Sequence, residues 1–322
     1  MILNSAISLM NAYGKEGKGF FFIIDFLGEN SEVIALDAET DLIFNINGIS
    51  NEKPSKIEYR NTSPQLEIKP ISFNAYKNAF ELVQAALHQG NSFLVNLTFA
   101  TPISLNISLE DVFYASKAKY RLLSLDKFVC FSPETFVKIE AGKISSNPMK
   151  GTISADIPNA KERILANQKE LAEHTTIVDL IRNDLSMVAN KVQVERFRYV
   201  EKITTNRGDI LQVSSKISGQ LPKDYPNYIG SIIAKLLPAG SISGAPKPKT
   251  VEIIKQAENY KRSFYTGICG VFDGESLDSG VMIRFIENTP NGLVFKSGGG
   301  ITALSDVKEE YEELIAKVYL PF

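Results

Sequence analysis

Short apolar, β-rich runs recur along this chain in closely spaced groups, with helical stretches between the groups. That alternation constrains the fold more than any other feature of the sequence. Residues 19–26 and 32–36 read as two strands joined by the polar turn Gly28-Glu29-Asn30-Ser31. Further strands are predicted at 92–100, 127–131, 135–140, 191–198, 209–218, 267–272, 281–287 and 292–297. Helical spacing of Tyr76, Phe80, Val83 and Leu87 predicts a helix over 74–88, capped by Asn74 and closed at His88 and Gly90. One long helix is predicted over 159–189, and shorter ones over 224–236, 248–258 and 306–319. Residues 48–66 are polar and irregular, the best candidate for a mobile loop. Strands spaced like hairpins favour antiparallel pairing in mixed α and β layers.

Composition narrows the function. The 322 residues are 44% hydrophobic and 22% charged, ordinary values for a soluble globular protein, with length for a large core. The net charge of -2 supplies no basic field for a nucleic-acid backbone. The N-terminal stretch lacks the basic start, apolar run and small-residue cleavage site of a signal peptide, and residues 20–26 are too short to span a bilayer. The two cysteines, Cys130 and Cys269, match no metal or disulfide spacing, so a reducing, cytoplasmic setting is expected.

Four stretches carry chemistry. Glu170 and Glu173 stand three apart on a predicted helix, as do Glu310 and Glu313, with Lys317 one turn beyond. Each pair is either a solvated acidic face or half of an oxygen site for a hard cation such as Mg²⁺. Gly298-Gly299-Gly300 lies between a strand and the second acidic helix, either as a flexible turn or as an anion-binding concavity. Pro238 to Lys247 lacks the phosphate-loop pattern, and Pro246 removes a donor, so no nucleotide site is expected. Lys150, between Met149 and Gly151, is either a surface lysine or a nucleophile.

Taken together, these segments resemble the chorismate-utilising family, which includes the large subunits of anthranilate and aminodeoxychorismate synthases and the isochorismate and salicylate synthases. The resemblance is carried by Ser132-Pro133-Glu134, PMKGT at 148–152, ELAEHTTIVDLIRNDL at 170–185, LLPAGSISGAPKPKTVEIIKQAE at 236–258, RSFYTGICG at 262–270, MIRF at 282–285, and GGGI through KEEYEELIAK at 298–317. It covers roughly residues 90–319 as a catalytic core; residues 1–90 resemble the family loosely, and the whole reads as one chorismate-binding domain.

The resemblance implies an α+β fold, two antiparallel β-sheets packed as a sandwich with helices outside and the site between the sheets. It implies Mg²⁺ bound by Glu173 and Glu313, with Glu170 and Glu310 acting through water. Lys317 would add a cation near the ring carboxylate of chorismate. Tyr265, Arg284 and the amides of Gly299 and Gly300 would hold the enolpyruvyl carboxylate, and Thr152, Ser241 and Ser243 would line the cavity. Glu134 resembles the family's general acid.

Three positions discriminate within the family. Lys150 stands where anthranilate synthases carry alanine and is the mark of aminodeoxychorismate synthases, in which it attacks C2 of the ring. Leu94 stands where isochorismate and salicylate synthases carry a water-activating lysine. Gln212 stands where most of the family has histidine, a departure that fits a product keeping its enolpyruvyl group. The implied activity is conversion of chorismate and ammonia to 4-amino-4-deoxychorismate, on the route to p-aminobenzoate and folate. The alternatives are anthranilate synthesis and a non-catalytic chorismate-binding subunit. No glutamine-hydrolysing motif is present, so a glutamine amidotransferase subunit is the implied partner.

Overall fold

A computed structural model describes residues 3–52, 64–205 and 208–322. In chain order the elements are α1 (Leu3–Lys15), β1 (Phe20–Ile24), β2 (Ser31–Ala35), β3 (Leu42–Ile46), β4 (Ile49–Ser50), β5 (Leu66–Ile68), α2 (Phe73–His88), β6 (Leu94–Leu105) and α3 (Leu109–Ala115). They continue with β7 (Tyr120–Ser124), β8 (Phe128–Ser132), β9 (Thr135–Glu140), β10 (Lys143–Ser146), β11 (Met149–Ser154), α4 (Ala160–Ala166), α5 (Gln168–Ser186), β12 (Asn190–Thr205) and β13 (Gly208–Gln220). The rest are α6 (Ile229–Lys235), β14 (Gly244–Ala245), α7 (Lys247–Ala257), β15 (Ile268–Phe272), β16 (Leu277–Val281), β17 (Phe285–Thr289), β18 (Gly292–Ile301) and α8 (Val307–Ala316).

The strands form two sheets. One runs β11-β13-β10-β9-β16-β15-β1-β2, with β12 also on β13. The other runs β14-β6-β18-β17-β8-β7-β3-β4, with β5 also on β6. The sequence of β1, Phe-Phe-Phe-Ile-Ile, shows why two sheets pack with helices outside. Alternate residues of a strand point to opposite faces. Phe20, Phe22 and Ile24 pack with Ala6 and Met10 of α1 and Ile229, Ile232 and Ile233 of α6. Phe21 and Ile23 face the other way, against Leu42, Phe44, Tyr120 and Leu122 of the second sheet. Phe21 stacks on Phe44 with ring centroids 4.3 Å apart. The far side of the second sheet is covered by α3, whose Val112 and Phe113 pack on Val129, Phe131, Ile286 and Phe295. This is the expected antiparallel sandwich. No helix among the described residues is long and apolar enough to cross a membrane.

Several expected boundaries differ. The helix at 74–88 starts one residue earlier, at Phe73, and is capped by Ser72, whose hydroxyl accepts from Ala75 N. The run 159–189 is two helices, because Asn167 is extended and its side chain caps α5 by accepting from Glu170 N at 3.1 Å. The strand expected at 281–287 is broken: β16 ends at Val281, β17 starts at Phe285, and Arg284 between them has φ +56°. The N-terminal helix α1 was not anticipated; its apolar face is too short to stand out. Of the segment expected to be a mobile loop, residues 53–63 lie outside the described residues, while its ends form β4 and part of β5.

Candidate active site

The largest correction concerns the glycines. Gly298, Gly299 and Gly300 lie inside β18, paired with Thr98, Leu97 and Asn96 of β6, and do not form a turn. A Cβ at Gly298 would meet Thr98 and the Leu97 carbonyl, and charged side chains pass over Gly299 and Gly300. A Cβ added at Gly300 would sit 3.0 Å from Lys150 Nζ, and one at Gly299 would sit 3.3 Å from Glu310 Oε2 and 3.7 Å from Lys317 Nζ. On its other edge β18 pairs with β17 only through Lys296, so among the described residues 297–301 have no strand on that side. That bare edge borders a cavity of about 230 Å³.

Residues from both sheets line this cavity, together with α5 and α8. They include Glu134, Lys150, Thr152, Gln212, Ser241, Tyr265, Arg284, Gly299, Gly300, Glu313 and Lys317. Of the expected wall residues only Ser243 is elsewhere: it is fully buried, and its hydroxyl donates to Ala239 O at 2.8 Å. A bulge puts Lys150 here. The β11–β13 register shifts by one residue between Met149 and Thr152, and Gly151 takes φ +82°. The bend turns the lysine toward the second sheet, where its Nζ lies 3.6 Å from Glu173 Oε2.

The two acidic helices meet. Lys169 of α5 reaches across to α8, 3.2 Å from Glu310 and 3.4 Å from Glu309. Glu173 and Glu310 are buried, and Ser305 donates to Glu310 at 2.7 Å. Gly151 leaves room for Glu170, whose Oε2 would be 2.9 Å from a Cβ there. Burial pushes the Glu173 carboxyl up, and its neighbours Glu170 and Glu310 push it further, against the pull of Lys150 and Lys169. Glu313 differs. Burial raises it, but Lys317 at 2.6 Å, with Lys150 and Lys169, outweighs burial and leaves it below its ordinary range. Lys317 is itself lowered, by burial first and by Arg284 and Lys150, against the pull of Glu313, and it donates to Gly298 O at 2.8 Å.

Among the described residues no three acidic, histidine or cysteine side chains form a ready-made metal cage. The donor set nevertheless fits a hard cation of the Mg²⁺ kind, which takes one or two carboxylates and completes its shell with water and ligand oxygens. Burial is the main reason the Glu173 carboxyl is raised, with Glu170 and Glu310 adding to it, and a cation would offset both effects.

Glu134 lines the same cavity and accepts a short hydrogen bond from Ser241. Burial pushes its carboxyl up, more than Ser241, Lys150, Arg284 and Lys317 pull it down. Arg284 Nε donates to Tyr319 at 3.1 Å. Tyr265 is 3% exposed, and burial raises its phenol. Leu94 is buried beside Gly300, its Cδ1 3.5 Å from the position of a Cβ, so position 94 itself supplies no ionisable group. Gln212 pairs with Thr152 across the β11–β13 ladder. Neither histidine lines the cavity; His174 is buried against Ser215 at 2.6 Å. Sequence reasoning missed Lys169, whose role depends on α8 being near, and Asn96 on the cavity wall. An asparagine amid the apolar run LVNL was the available signal.

A family model described as chorismate binding enzyme matches residues 27–321. An uncharacterised PabA-like protein of Pasteurella multocida (strain Pm70) is 51% identical over 327 residues, covering 100% of this chain and 99% of that protein. Component 1 of the aminodeoxychorismate synthase of Bacillus subtilis (strain 168) is 31% identical over 265 residues, covering 78% of this chain and 55% of that protein. Among solved structures, the menaquinone-specific isochorismate synthase of Escherichia coli superposes with a TM-score of 0.74 at 15% identity, over 98% of this chain and 81% of that one. At that identity the likeness speaks for the fold.

Proposed function

The chain belongs to the chorismate-binding enzyme family, and from that premise we propose that it is the chorismate-binding component of an aminodeoxychorismate synthase, adding ammonia to C4 of the ring. The observation that carries this reading is Lys150, an amine lining the cavity, brought over Gly300 by a bulge and sharing that cavity with the acid Glu134.

In this reading Arg284 and Tyr265 hold the enolpyruvyl carboxylate, with Thr152, Ser241 and the bare edge of β18 at Gly299 and Gly300 around it. The guanidinium fork matches a carboxylate. Lys317 lies near the ring carboxylate. Glu173 and Glu313, with Glu170 and Glu310 behind water, would hold Mg²⁺, which when bound supplies a positive charge for the ring carboxylate.

Glu134, kept protonated by burial, gives its proton to the C4 hydroxyl, which leaves as water. Once the Lys150 ammonium has given one proton to solvent water, its lone pair forms a bond to C2 while both ring double bonds shift. This leaves a carboxylate at Glu134 and a positively charged secondary amine on the ring. The lone pair of ammonia then forms the C4–N bond, the double bonds shift back, and the C2–Nζ electron pair returns to Lys150. The extra proton on the new amine returns to Glu134. The sum is chorismate plus ammonia giving 4-amino-4-deoxychorismate plus water. A glutamine amidotransferase subunit would supply the ammonia.

The test is to incubate the purified chain with chorismate, Mg²⁺ and an ammonium salt. The product is identified by mass and by its conversion to p-aminobenzoate with a lyase. Formation of 2-aminobenzoate would assign anthranilate synthesis instead. Binding of chorismate without turnover would assign a non-catalytic subunit.

A further inference from the structure

Among the described residues, one polar group on the cavity wall has no partner and no part in the steps above. Asn96 lies in β6, 8% exposed, and its Oδ1 is buried with no hydrogen-bond donor. Its backbone is fixed on both sides: the N–H donates to Ser243 O at 2.9 Å, and the carbonyl accepts from buried Arg262 at 2.6 Å. Asn96 stands directly across the ladder from Gly300. Opposed residues of an antiparallel pair project from the same face. At Gly300 that face meets Lys150 Nζ at 3.0 Å from the Cβ position. The Asn96 side chain therefore projects beside the Lys150 amine, in the cavity that both line.

An amide oxygen buried without a donor is unfavourable, and a ligand that donates a hydrogen bond relieves it. We infer that Asn96 is the binding residue for the nitrogen nucleophile, its Oδ1 accepting an N–H of ammonia. This rests on the functional reading above. Chorismate presents acceptors almost everywhere. Its one donor is the ring hydroxyl, which faces the acid Glu134 in that reading. Ammonia brings three N–H groups. A neutral acceptor also suits it better than a carboxylate, because a negative charge favours ammonium, whose lone pair is occupied. Asn96 is the buried, uncharged acceptor next to the nucleophilic lysine, so it holds ammonia near the ring without trapping its proton.

The experiment uses the whole chain with chorismate, Mg²⁺ and ammonium chloride, varying one substrate at saturation of the other. In Asn96→Ala the apparent KM for ammonia rises about ten-fold, the loss of one hydrogen bond, while the KM for chorismate holds. Asn96→Asp keeps the side-chain volume, guards against a folding artefact, and lowers kcat with ammonium at unchanged chorismate KM. Thermal melting of both variants reports folding. A rise in chorismate KM, an equal rise in both, or no change in either overturns the inference while the activity itself stands. Absence of any amino product from the wild-type chain overturns the functional reading, and this inference with it.

Discussion

Gly300 and Lys150 share one volume: the place where a side chain at position 300 would begin is 3.0 Å from the lysine's terminal nitrogen. The two lie on different sheets, β18 and β11, so the glycine is part of what seats the amine. Gly300→Ala puts a methyl group against the far end of a flexible side chain, which can move aside. The expected result is a melting temperature close to wild type and a fall in kcat/KM of about ten- to a hundred-fold, the scale of a misplaced reacting group. A large loss of stability with unchanged kcat/KM in the folded fraction would deny the glycine this role.

Lys150→Ala removes the amine that, in the proposed reaction, directs nitrogen to C4. At low ammonium, the rate of forming the 4-amino product falls about a hundred-fold or more, a barrier rise of about 3 kcal/mol. At high ammonium, free ammonia takes the lysine's place at C2, and a 2-amino product accumulates. Mass spectrometry with chromatographic separation of the isomers distinguishes these outcomes from undiminished 4-amino product, which would remove Lys150 from the chemistry.

In the proposed reaction Glu134 acts in its protonated form, and burial lifts its carboxyl above the usual range. The active form therefore survives to higher pH than an ordinary glutamic acid allows, and is lost as pH rises through the raised value. Glu134→Gln is expected to lower kcat by about a hundred-fold and to abolish that limb of the profile. The same shift acts on stability. The folded state binds this proton more tightly than the unfolded state, so its contribution is full at low pH and fades as pH climbs. Near neutral pH the glutamine variant should melt higher than wild type, which differential scanning calorimetry can check.

Chelation tests the cation. With a strong chelator, turnover is expected to stop and to return on addition of Mg²⁺, while the circular dichroism spectrum stays native. Glu173→Gln and Glu310→Gln each raise the Mg²⁺ concentration needed for half activity. Full activity in the chelated chain would remove the cation from the proposal.

Arg262 is a structural counterpart to these. Its side chain and that of Glu258 are each 2% exposed and bonded at 2.6 Å and 2.8 Å, with further donation to Ile242 O and Asn96 O. Glu258 in turn accepts from the backbone and hydroxyl of Thr98. Arg262→Met leaves that carboxylate buried without its cation and costs about 3 kcal/mol or more, read as a lower urea midpoint.

Much of this was legible in the sequence because it is local. Strand β9 coincides with its expected span, and β1 and β2 were read with their turn, since apolar runs between turn residues need no tertiary information. The chemistry-bearing motifs came through for the same reason: all but Ser243 of the substrate-side residues reach the cavity wall. What failed was long-range. Three consecutive glycines favour a turn on intrinsic grounds, yet here they form a strand, because β6 pairs with them and the cavity needs the space above them. The division of 159–189 depends on one extended residue, Asn167, in an otherwise helical pattern. The lone oxygen of Asn96 shows only once every donor around it has been placed.

Lys169 spans the gap between α5 and α8, and Glu310 holds its ammonium above the ordinary range despite burial. The two acidic helices are thus clamped by a side chain of the chain's own. A divalent ion entering between them would find its seat already shaped, but would meet a tethered rival for the same oxygens. Occupancy would then be an exchange of one positive charge for another, giving up tight binding in return for a seat that does not have to be built.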